Sequence, residues 1–143
     1  MLSLSITDIK SFMGKLLKED TFDTFNLHSL TIQNFAHFEI HKPEDQPPPK
    51  WSVIRPFALD MVRGGGATPK TLKTVLSTDG SLVNTTDTTL FLNTHFEEGN
   101  ITITTGISQK TFTMDKSPQI AWDNYIQNFL NDKGIGFTNN LEG

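Results

Sequence analysis

Thr88-Thr-Leu-Phe-Leu-Asn-Thr-His-Phe96, a break at Glu97-Glu-Gly-Asn100, and Ile101-Thr-Ile-Thr-Thr105 form the stretch on which the fold turns. Apolar and polar residues alternate on both sides of the break, which is the period of a strand with one buried face. Threonine and aromatic side chains favour extended backbone, and Gly99 suits a tight turn. The same pattern recurs upstream in Thr71 to Ser77, closed by Asp79-Gly80, and downstream in Lys110 to Met114, after a turn from Gly106 to Gln109. Farther upstream, Leu30, Ile32, Ala36, Phe38 and Ile40 alternate with Thr31, Gln33, His37, Glu39 and His41. This predicts one long strand, disturbed only by a bulge or a switch of faces at Asn34-Phe35.

Helices flank these strands. Ser5 and Thr7 offer capping oxygens, Asp8 favours a helix N-terminus, and Ile9, Phe12, Met13, Leu16 and Leu17 recur at helical spacing with Lys10, Lys15 and Lys18 opposite. After the proline-rich loop Pro43 to Pro49, a short helix is expected from Pro56 to Arg63, with Phe57, Ala58, Met61 and Val62 inward and Gly64 at its end. A third is expected to start with Ser117 as cap and Pro118 in first position, and to end at Gly134. Ala121, Trp122, Tyr125, Ile126, Phe129 and Leu130 form its apolar face. Runs of strands between helices, without strand–helix alternation, predict an α+β domain. Its mainly antiparallel sheet of five to six strands is packed by an N-terminal, a central and a C-terminal helix.

With 143 residues, 36% of them hydrophobic and including eleven Phe and two Trp, the chain suits one domain spanning residues 1–143. It contains no cysteine, which excludes disulfides, thiolate metal sites and a cysteine nucleophile. Met1 to Asp8 carries neither a basic region nor an unbroken apolar run, so no signal peptide or membrane span is expected and the cytoplasm is the expected compartment. Charge is uneven. Residues 1–75 hold nine Lys+Arg against eight Asp+Glu, whereas residues 76–143 hold three against eight.

Three stretches invite a chemical reading. Gly64-Gly-Gly-Ala-Thr-Pro-Lys-Thr71 has phosphate-loop spacing, but Pro69 replaces the second glycine, and proline offers neither an N–H nor positive φ; a strand then follows where a helix should. His37-Phe-Glu-Ile-His41 puts His37, Glu39 and His41 on one side of a strand, as weak metal-ligand candidates. The two histidine Cα atoms would lie roughly 13 Å apart at about 3.3 Å per residue, so one strand supplies at most a pair of ligands, and others would have to come from His28, His95 or a distant carboxylate. Arg55, Arg63, Lys70 and Lys73, near Trp51 and Phe57, form the one basic stretch to which an anion or nucleic acid could bind. Strong nucleic-acid binding is not expected beside an acidic second half.

Leu90-Phe-Leu-Asn93, Ile103-Thr-Thr-Gly106, Lys110 to Ser117 and Ala121-Trp-Asp123, with Thr7-Asp-Ile-Lys10, Leu16-Leu17, Asp20-Thr-Phe-Asp23, Arg55-Pro56 and Thr68-Pro69, resemble an uncharacterised family of small Firmicute proteins of unknown function. That resemblance implies a bacterial cytosolic protein and carries no activity and no site residue. The sequence therefore leads to a non-catalytic binding or interaction module, with no cofactor and with a protein partner or homo-oligomer open. The alternatives are a metal-dependent hydrolase using part of His37, Glu39 and His41, and an anion or nucleic-acid binder using Arg55, Arg63, Lys70 and Lys73.

Overall fold

The computed structural model describes residues 1–34, 36–64 and 68–140. Along the chain it gives β1 (Ser3–Ile6), α1 (Ile9–Leu17), β2 (Asn26–Gln33), β3 (His37–His41), α2 (Trp51–Gly64), β4 (Thr71–Asp79), a 3-10 turn (Gly80–Val83), β5 (Thr88–Glu97), β6 (Asn100–Gln109), α3 (Ser117–Asp132) and β7 (Phe137–Asn139). The protein is α+β: the described residues form three helices and a seven-stranded antiparallel sheet in the order β3-β2-β4-β5-β6-β1-β7.

The β5–β6 hairpin is the middle of that sheet. It pairs from Thr88↔Gln109 to Glu97↔Asn100, and Glu98 (φ 52°) and Gly99 (φ 78°) make the turn. Positive φ at both central residues is what a two-residue type I′ turn demands, and its twist matches the strands. Leu90, Leu92 and Phe96 of β5 meet Leu72 and Leu76 of β4 and Ile101 and Ile103 of β6 on one face. Phe12, Leu16, Trp51, Ala58, Trp122, Ile126 and Leu130, from all three helices, join the same buried cluster. The alternate positions (Thr71, Lys73, Val75, Phe91, Asn93, His95, Thr102 and Thr104) belong to the opposite, wetter face. One packed and one solvated face is the ordinary economy of an antiparallel sheet.

Four expectations need correction. The long strand is a hairpin, β2 paired with β3 from Ser29↔His41 to Gln33↔His37; Phe35, at the expected irregularity, lies outside the described residues. Lys110 to Met114 is not a strand. β5 begins at Thr88, opposite Gln109; Lys110 N–H still reaches Asp87 O at 3.1 Å, but past it no described strand offers a ladder, and Phe112 and Met114 stand 87% and 81% exposed. The central helix starts at Trp51, five residues earlier than expected; it encloses Pro56 and leaves Phe57 half-exposed. The sheet also gains β1 and β7, because Leu4 finds Ile103 on one side and Asn139 on the other.

Capping differs in detail as well. Asp8 accepts from Ser11 N–H at 3.0 Å and caps α1. Asp115, not Ser117, supplies the oxygen at the start of α3, accepting from Ser117 N–H at 2.9 Å, and that bond holds its carboxyl below the usual range. Asp79 does the same for the 3-10 turn through Ser81. No described helix is long and apolar enough to cross a membrane.

Candidate functional site

The basic residues singled out by the sequence do not form one patch. Arg55 lies on α2 with its guanidinium turned onto Asp23: Nε and Nη2 donate to the two carboxylate oxygens at 2.8 and 2.9 Å, and both side chains are four-fifths buried. Nη1 also reaches Lys18 O at 3.4 Å. A planar fork satisfied in this way ties α2 to the end of α1. Lys73 is on the wetter sheet face, opposite His95 in register, beside a shallow depression of about 380 Å³ that Asn93 and Thr102 also line. Lys70 is exposed just before β4, where its N–H donates to Gln33 O. Arg63 is exposed in the last turn of α2. Replacing Asp23 with alanine is expected to cost about 1–3 kcal/mol, the usual range for losing a charged, mostly buried hydrogen-bond partner. A shift in the urea midpoint would check this; an unchanged midpoint would show the clamp to be ornamental.

The histidines are similarly separated. On β3, His37 Nε2 lies 2.7 Å from Glu39 Oε1 and His41 Nε2 lies 3.4 Å from Glu39 Oε2, all on the exposed side. Hydrogen bonds from His37 and then His41 hold the Glu39 carboxyl below its usual range. His95 is three strands away along the row Glu39–Thr31–Lys73–His95, roughly 14 Å at the usual strand spacing. There it pairs with Glu97 at 3.1 Å. His28 sits at the β2 irregularity with its ring 5.2 Å from that of Phe91. Among the described residues no three His, Asp or Glu side chains converge as a metal-ligand set. Of the Gly64–Thr71 stretch, Gly64 ends α2 and Thr71 opens β4, while residues 65–67 lie outside the described residues.

What the structure does assemble is a groove between α1 and α2, closed at one end by the β5–β6 hairpin. Its volume is about 810 Å³, within the range of small-ligand sites. Ile9, Met13 and Leu17 from α1 face Leu59 and Val62 from α2, with Phe96 at the hairpin end. Gly14 leaves a gap in the α1 wall: a Cβ there would meet only Glu19 Oε2, at 4.0 Å. Lys10, Lys18 and Arg63 are the charged residues in the groove's lining among the described residues, with the Glu19 carboxylate close to the gap at Gly14. On a chain of net charge −4, that is a local reversal of sign around an apolar floor.

The sequence reading missed this groove for a definable reason. Helical spacing marks Ile9, Phe12, Met13, Leu16 and Leu17 as a single apolar stripe, yet only Phe12, Leu16 and Leu17 are buried, whereas Ile9 and Met13 are partly exposed and form a wall. A stripe wider than the sheet can cover was the available signal.

A family model described as "Family of unknown function (DUF5721)" matches residues 41–138. No curated protein and no solved structure matches the chain.

Proposed function

Starting from the fact that the chain belongs to this family of unknown function, we propose that it is a non-catalytic binding module whose ligand is an amphipathic anion, held between α1 and α2. One observation carries the reading: an apolar groove of about 810 Å³ has three cations among its described lining residues, against the one carboxylate of Glu19 near Gly14. An acyl or aromatic body would displace water from Ile9, Met13, Leu59 and Val62, and the gain scales with the apolar area covered. An anionic head would then meet Lys10, Lys18 or Arg63 at the rim. Of the four basic candidates in the sequence, Arg63 alone serves here; Arg55 serves the fold. The resemblance in motifs supports placing the protein in the cytoplasm of a bacterium, one of the Firmicutes.

Dodecanoate is a suitable probe, with dodecyltrimethylammonium as the control of opposite charge. Calorimetry should give one dodecanoate per chain and no comparable binding of the cation. The double variant Lys10→Glu, Arg63→Glu should weaken dodecanoate about tenfold, as two partly solvated charge contacts allow. Gly14→Leu should fill the gap in the wall and abolish binding while leaving the fold intact. Equal affinity for both amphiphiles, or binding indifferent to both changes, would refute the reading.

A further inference from the structure

β3 ends the sheet. β2 pairs one side of it, and no described strand pairs the other. Such an edge offers unpaired N–H and C=O groups to any strand that can lie against it.

Two observations point to the occupant. The strand reads alike in both directions from Glu39: Phe38 and Ile40 flank it on the helix side, and His37 and His41 flank it on the other. A two-fold contact requires one patch that complements itself, and antiparallel addition about Glu39 would oppose His37 to His41 of the second copy and Phe38 to its Ile40. The apolar surface also continues past the edge. Phe57 of α2 has its ring 5.3 Å from that of Phe38, and Val53, one turn earlier, shares its helix face; they are 45% and 69% exposed.

A charged edge strand can serve to repel, and two carboxylates directly opposite each other are unfavourable. Here each Glu39 brings its own counter-groups, since both of its oxygens are already engaged by His37 and His41. Two such rows would therefore meet as carboxylates among imidazoles, not as bare like charges. Across β2 the facing residues Ser29, Thr31 and Gln33 carry no charge, and the nearest cation on that face is Lys73, one strand farther in. We propose that a second copy of this chain docks at β3, continuing the sheet across a two-fold axis at Glu39, with Val53 and Phe57 of both copies closing the helix side.

The absence of cysteine makes the register directly testable. Glu39→Cys would set one thiol opposite itself, where directly opposed strand positions have Cβ atoms about 4.5–5.5 Å apart, near the roughly 3.5–4.5 Å of a disulfide. Mild oxidation should cross-link this variant rapidly, and Thr89→Cys, exposed on β5, should not follow. His37→Cys and His41→Cys should cross-link when mixed and not alone. The unmodified chain should sediment as a concentration-dependent dimer, which Val53→Glu with Phe57→Glu should dissociate without loss of circular dichroism. A monomer at every concentration would overturn the proposal. So would Glu39→Cys reacting no faster than Thr89→Cys, or His37→Cys alone matching Glu39→Cys.

Discussion

Trp122→Ala is expected to destabilise the protein by about 3–5 kcal/mol, the range for deleting a large aromatic from a packed core. The indole of α3 is fully buried, donates Nε1–H to Phe91 O at 2.9 Å, stacks on Tyr125 at 5.5 Å and meets the edge of Phe25 at 6.3 Å. Phe25 continues to Phe22 and Phe129, and Phe22 to Phe12, so one aromatic run joins α3 to α1 through the loop between α1 and β2. Removing Trp122 leaves a cavity and takes one donor from the Phe91 carbonyl on the central strand. Denaturant unfolding measures the loss, and a change under about 1 kcal/mol would mean that α3 is peripheral to the core.

Trp51→Ala should cost a comparable 3–5 kcal/mol, for a related reason. This side chain is also fully buried, and its Nε1–H donates to Leu16 O at 3.1 Å. Leu16 is in the last turn of α1, where carbonyls have no intrahelical partner, so the indole satisfies a group the helix itself cannot. Trp51→Phe separates the two contributions: the ring stays, the hydrogen bond goes, and about 1–2 kcal/mol should be lost. If phenylalanine were as damaging as alanine, the hydrogen bond that both lack, rather than the bulk of the ring, would be what the site requires. Neither outcome leaves Trp51 free to stack a base, the role its position beside Arg55 invited.

Local chemistry was legible where it acts within a few residues. Glu97-Glu-Gly-Asn100 is a two-residue hairpin, Asp79-Gly80 caps a turn, and the apolar run from Trp122 to Leu130 is a helix face. The features that escaped depend on distant partners. Ser3-Leu-Ser-Ile6 becomes a strand because Leu4 meets Ile103 and Asn139, about a hundred or more residues away, and four residues alone carry too little pattern to announce it. Thr111-Phe-Thr-Met114 has the strand pattern and no partner strand among the described residues, which alternation cannot reveal. Arg55 reads as a free cation until Asp23 is found against it, 32 residues earlier in the chain. The groove asks most of all, because its walls come from helices over thirty residues apart and its end from a third element.

The most direct test of the groove as a ligand site is to follow the methyl resonances of Ile9, Met13, Leu17, Leu59 and Val62 by NMR as dodecanoate is added. The account predicts that these methyls shift together and saturate, while those of Val75 on the opposite sheet face and Ile120 on the exposed side of α3 stay still. Shifts confined to Val75 or Ile120, or spread evenly over the surface with no saturation, would contradict it.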